Sequence, residues 1–98
     1  MSIQPWTLVG LLASVRFSLV ADPSPGLLPR VMQPFARRDL VPDGLEARIQ
    51  GGEMRIEVAL AAMPAEMVHL VEGNLAAIVG VTRVLLSQEV TGRVARAA

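Results

Sequence analysis

The sequence predicts a two-layer α+β domain with elements in the order β-α-β-β-α-β, and three observations predict it. Two stretches on either side of Gly51-Gly52 alternate apolar and polar residues with period two. Two others open at proline-containing corners and repeat apolar residues every three or four positions, as a helix lying on a sheet does. A further alternating stretch precedes the first helix, and an apolar run follows the second.

The first strand is expected over Ala13 to Val20. Ala13, Val15, Phe17 and Leu19 lie on one side and Ser14, Arg16 and Ser18 on the other, which implies one buried face and one wet face. Asp22-Pro23-Ser24-Pro25-Gly26 is a turn, because two prolines and a glycine exclude regular structure. Leu28, Val31, Met32 and Phe35 then predict a helix over Leu27 to Arg38. Pro29 fits its first turn, where N–H groups have no intrahelical acceptor. Pro34 predicts a kink or a helix in two pieces: it removes one hydrogen bond and crowds the Arg30 carbonyl, at about 3 kcal/mol in a regular helix. Asp39 to Gly44, which contains Pro42, is a loop.

Leu45 to Gln50 alternates, with Leu45, Ala47 and Ile49 inward and Glu46, Arg48 and Gln50 outward. Glu53 to Leu60 returns with Met54, Ile56, Val58 and Leu60 inward and Glu53, Arg55 and Glu57 outward. Both glycines between them can take positive φ, so Gly51-Gly52 reads as a two-residue hairpin loop. That register sets Ile49 opposite Met54 and Ala47 opposite Ile56. It also opposes like charges, Arg48 to Arg55 and Glu46 to Glu57, while the diagonal pairs are opposite in sign. A four-residue loop would set Arg48 against Glu57. An odd-length loop would turn one apolar face outward and is rejected.

Met63-Pro64-Ala65-Glu66 opens the second helix, with Glu66 complementing its dipole. Met67, Val68, Val71, Leu75 and Ile78 form its apolar stripe, Gly73 suggests a close packing contact, and Gly80 ends it. Val81 to Ser87 is the last strand. The chain thus divides into an apolar N-terminal extension over residues 1–12, the domain over 13–87 and a flexible tail over 88–98.

With 98 residues the chain is one domain whose stability self-association would raise. The formal net charge is zero, which argues against a nucleic-acid binder driven by phosphate neutralisation. All the basic residues are arginine. There is no cysteine, so disulfides and thiolate ligands are excluded, and one histidine is too few for a typical zinc or iron site. No metal or other cofactor is expected. The apolar start lacks a basic region and a cleavage signal, and Arg16 interrupts it short of a membrane span, so a cytoplasmic chain without membrane contact is expected.

Both helices must cover the same apolar side of the sheet. Right-handed crossovers then favour the ferredoxin-like two-layer sandwich, with antiparallel strand order 4-1-3-2. The Leu45–Gln50 strand becomes an edge, an open template through which a homodimer is expected.

Pro25-Gly26-Leu27-Leu28 followed by Phe35-Ala36-Arg37-Arg38 resembles the start of an ACT domain, which has a Pro-Gly-x-Leu turn and a helix with a Phe-x-Arg-Arg-like segment. Val71 to Val84 resembles that family's closing pattern of Leu-x-x-Ile-x-x-Val-x-x-Val. The resemblance covers about residues 14–87 and is closest to the short, single-domain regulatory subunit of acetolactate synthase. It implies a non-catalytic domain that binds and activates a larger, thiamine-dependent catalytic subunit in branched-chain amino-acid biosynthesis. The alternative is a stand-alone dimeric amino-acid sensor. For that role the resemblance implies a ligand site at Asp22, Gly26, Leu27 and Leu28, where helix N–H groups meet a carboxylate. Two departures weaken it. Pro23 stands where the family places Asp or Asn, with Asp22 one residue earlier, and Pro29 removes a donor.

Candidate partner-binding residues are Trp6, since interface hot spots favour tryptophan, and Arg37 and Arg38 beside Asp39. His69 lies next to the apolar stripe and reads as structural, for no catalytic partner accompanies it. Glu46, Glu53 and Glu57 form a solvated charge lattice. No nucleophile triad, metal or phosphate-loop spacing is present, so an enzyme is the least favoured reading.

Overall fold

The structure, a computed structural model, describes residues 10–93. It comprises β1 (Leu11–Ala21), α1 (Leu27–Ala36), β2 (Gly44–Gln50), β3 (Glu53–Pro64), a 3-10 turn (Ala65–Met67), α2 (Val68–Ala76) and β4 (Val81–Arg93). The four strands form one antiparallel sheet in the order β2-β3-β1-β4, which is the expected ferredoxin-like order read from the other edge.

Alternation places β1. Ala13, Val15, Phe17, Leu19 and Ala21 are buried under the helices, while Ser14 and Arg16 point to the helix-free side. Phe17 pairs across the sheet with Val58 on β3 and Leu86 on β4, so it occupies the centre of the layer. Leu27, Val31 and Phe35 from α1 and Val68, Val71 and Leu75 from α2 close over it. The Phe17 and Phe35 rings meet edge to face, with centroids 5.8 Å apart at 67°.

The Gly51-Gly52 loop has φ of 62° and 80°, the conformation a two-residue hairpin turn requires. Ile49 pairs with Met54, Ala47 with Ile56, Arg48 with Arg55 and Glu46 with Glu57, so the like charges stand opposite as the register demands.

Several expectations are corrected. α1 is one helical segment that runs through Pro34 without splitting, and it ends at Ala36 rather than Arg38. Pro34 lies in the last turn and its ring is buried, so packing offsets the lost bond to Arg30. The helix closes with Asp39 at φ 55°, with Asp39 N–H donating to Ala36 O and Leu40 N–H to Phe35 O. Every residue of β2 is exposed, including Leu45 and Ile49, which share the helix side of the sheet with buried Ile56 and Val58. Neither α1 nor α2 packs over that edge strand closely enough to bury it.

β3 continues through Met63 and Pro64, where the second helix was expected to open. Its extra residues form a bulge against β1, and Asp43 accepts the Ala61 N–H there with its carboxylate. α2 accordingly starts at Val68 and ends at Ala76, before Gly80. β4 extends past Ser87: residues 88–93 pair with Leu11 to Val15.

Gly73 is not a packing contact. A Cβ there meets nothing within 4 Å, so glycine is costly in a helix with no steric reason for it. Gly73→Ala should stabilise the chain by about 0.5–1 kcal/mol through helix propensity and a less disordered unfolded state. Urea unfolding followed by circular dichroism checks this; a midpoint at or below wild type contradicts it.

Candidate functional site

The corner joining β1 to α1 is built from the residues that carry the resemblance. Pro25 and Gly26 occupy the middle of a turn in which Leu27 N–H donates to Ser24 O at 3.2 Å. Gly26 has φ −90° and ψ 0°, ordinary values for the third residue of such a turn. A Cβ there would meet only the mobile guanidinium of Arg30, at 3.3 Å. Gly26 therefore makes the turn without needing positive φ.

Of the donors named from the sequence, Leu27 N–H is taken by Ser24, and its side chain is buried. The Gly26 and Leu28 N–H groups have no backbone acceptor among the described residues. Pro29 contributes no donor, and Arg30 N–H reaches Gly26 O at 3.4 Å. Two N–H groups at the positive end of α1 are thus open to an acceptor.

Asp22 is exposed and tied to the opposite corner: its N–H donates to Gly80 O at 2.8 Å. Gly80 has φ 98°, which side chains other than hydrogen rarely adopt. The turn from α2 to β4 is thereby fastened beside the β1–α1 corner. Sequence reasoning did not assign Gly80 to this corner; the expected adjacency of strands 1 and 4 was the signal that could have placed it there.

Arg37 and Arg38 lie at the other end of α1, about 15 Å away. Arg37 is exposed, while Arg38 is half-buried and donates through Nη1 to Pro34 O at 3.1 Å. They do not converge with Asp22 and Gly26. Trp6 lies outside the described residues.

The helix-free face carries charge in rows. Arg48, Arg55 and Arg83 align across the sheet with Val20 between the last two, and Glu46, Glu57, Ser18 and Leu85 form the next row. An open groove runs between these rows. Glu57 is held by Arg16 Nη1 at 3.0 Å and by Ser18 Oγ at 3.4 Å, and Arg55 pairs loosely with Glu53 at 3.6 Å. These pairs are about half exposed, so each is worth well under 1 kcal/mol. His69 Nδ1 lies 3.0 Å from Glu72 Oε1 on the exposed side of α2, away from both corners. Among the described residues no three metal-ligating side chains gather, and no helix is long and apolar enough to cross a membrane.

The family model for the ACT-like domain matches residues 11–92. The chain belongs to the ACT-like domain family. Its ferredoxin-like sheet, two covering helices and β1–α1 corner are the form this family takes here. A homoserine dehydrogenase from Thiobacillus denitrificans superposes on the ACT-like domain with a TM-score of 0.68 at 16% identity, over 83% of this chain and 18% of that one. This likeness concerns the fold, and the ACT-like domain spans less than a fifth of that enzyme's length. No curated protein matches the sequence. ACT-like domains are regulatory rather than catalytic modules.

Proposed function

We propose that this ACT-like domain binds a larger catalytic subunit and raises its activity, and that the subunit is acetolactate synthase of branched-chain amino-acid biosynthesis, in the cytoplasm. The observation that carries the reading is the ACT-like fold across residues 11–92 joined to an uncovered β2. Leu45 and Ile49 extend the apolar side of the sheet beyond the helices, and Val41, Leu70 and Val79 are also exposed. A domain with that much uncovered apolar surface is suited to association. Arg37 at the exposed end of α1, and Trp6, supply further anchors for a partner.

Reconstitution tests it. Adding the full chain to acetolactate synthase catalytic subunit should raise the rate severalfold, and the two should co-elute. No co-elution at tens of micromolar together with an unchanged rate rejects the proposal.

A second reading, amino-acid sensing, is favoured by the two open N–H groups at Gly26 and Leu28 beside Asp22. The N–H groups would take the ligand's carboxylate and Asp22 its ammonium. Calorimetry with valine, leucine and isoleucine should show heat that Asp22→Ala abolishes; silence at millimolar ligand removes this reading.

A further inference from the structure

The helix-free face of the sheet carries three arginines in one cross-strand row, each from a different strand. Arg48 stands opposite Arg55, and Val20 stands opposite both Arg55 and Arg83. We infer that this row binds a diphosphate group, free or as the head of a small ester, seated over Val20 between Arg55 and Arg83 with Arg48 closing one end. The site lies on the face away from α1 and α2 and uses none of the N–H groups of the β1–α1 corner. It stands whether or not the catalytic-subunit reading holds.

Three observations carry it. The first is spacing. Neighbouring strands lie about 4.8 Å apart, so the row runs about 10 Å from Arg55 to Arg83 and about 15 Å from Arg48 to Arg83. Ser18 and Val20 are short and half-buried and form the floor of the open groove, while Arg48, Arg55 and Arg83 are exposed along its sides. One phosphate over Val20 lies between Arg55 and Arg83, and a second, linked to it, meets Arg48. A single carboxylate is too small to engage all three.

The second is charge. The hairpin register sets Arg48 directly against Arg55, a repulsive pair. Arg48 and Arg83 have no ion-pair partner among the described residues, and Arg55 has only its loose 3.6 Å contact with Glu53. Glu57, in the neighbouring row, is already engaged by Arg16 at 3.0 Å and Ser18 at 3.4 Å. Glu46 is the acid of that row left without an ion-pair partner. A multiply charged anion bridging Arg48 and Arg55 replaces their repulsion with two attractions. Guanidinium forks also match phosphate oxygens two at a time.

The third is an apolar neighbour. Leu85 on β4 stands opposite Ser18, one row along from Arg83, and is 57% exposed. It offers the organic part of a diphosphate ester a resting surface beside the charged row, the mixture of apolar contact and convergent polar groups that small-molecule sites use.

Isothermal titration calorimetry on the full chain at low salt, with inorganic pyrophosphate and with ADP as probes, tests this. Both should give saturable binding with Kd below about 1 mM. R55A and R83A should each weaken pyrophosphate binding about tenfold or more, and R83K should weaken it too, because an ammonium lacks the fork. E46Q removes the unpaired acid and should tighten binding severalfold, a gain that a merely structural role for Glu46 would not produce. These side chains are exposed, so the thermal midpoint should hold in every variant. R30A removes the guanidinium beside Gly26 and should leave pyrophosphate affinity unchanged. ADP binding tighter than pyrophosphate by a margin that L85A removes supports an ester as occupant; equal affinity supports the free anion.

No saturable heat from either probe at millimolar concentration overturns the inference. So does wild-type affinity in R55A or R83A, an unchanged or weaker affinity in E46Q, or citrate bound as tightly as pyrophosphate. Loss of binding in R30A with R83A unaffected would place the anion at the start of α1 and overturn it as well.

Discussion

Replacing Phe17 with alanine should cost about 3–5 kcal/mol of folding free energy. Phe17 is fully buried at the middle of the central strand, it pairs with Val58 and Leu86, and its ring stands edge-on to that of Phe35. Truncation leaves a cavity bounded by strands on both sides, which cannot collapse without breaking the sheet. For a domain whose total stability is about 5–15 kcal/mol, that is a large share. The urea midpoint should fall steeply and a populated unfolded fraction should be visible in water. A double-mutant cycle with Phe35→Ala should return about 0.5–1.5 kcal/mol of coupling for the ring pair. A loss below about 1.5 kcal/mol for Phe17→Ala would contradict its place in the core.

Gly80→Val should destabilise the chain by about 2–3 kcal/mol. The added Cβ meets only the Asp22 carbonyl, at 3.8 Å, an ordinary contact. The penalty is therefore conformational: φ of 98° is hostile to a β-branched residue. Relaxing it pulls the Gly80 carbonyl away from Asp22 N–H and loosens the β1–α1 corner. Hydrogen exchange should report both effects, with Asp22 N–H losing protection beyond the fall in global stability. Unchanged protection at Asp22 in a destabilised variant would mean the two corners are not coupled.

The order of elements, the strand order and the hairpin register were legible because each rests on local rules. A Gly-Gly loop fixes register by its length, and period-two burial identifies the sides of β1 and β3. The core residues Val15, Phe17, Leu19, Ile56 and Val58 follow from that alternation. The exposure of Leu45 and Ile49 was not legible. Alternation shows which side of the sheet a residue faces, not whether a helix reaches far enough to cover it. The extension of β4 to Arg93 was hidden for a related reason: Gln88 to Arg93 are exposed on both faces, so backbone pairing with β1 leaves no apolar period to read. Pro34 misled because a helix rule for exposed interiors was applied to a last turn whose proline is buried. At the candidate site, the Pro25-Gly26 turn was legible as a turn, but Ser24 taking the Leu27 N–H and Gly80 holding Asp22 depend on distant corners meeting.

The central position of β1 also governs how the chain comes together during synthesis. Its partners lie about 40 and about 70 residues downstream, so every rung it makes closes a long loop, the kind of topology that folds slowly. The β2–β3 hairpin can form as soon as it leaves the ribosome, yet the first strand stays without its last neighbour until translation is almost finished. Over that interval Phe17 and Leu19 lie beside an empty slot, and a nascent chain stalled before Val81 would present a greasy, unpaired strand to whatever chaperone waits at the exit tunnel.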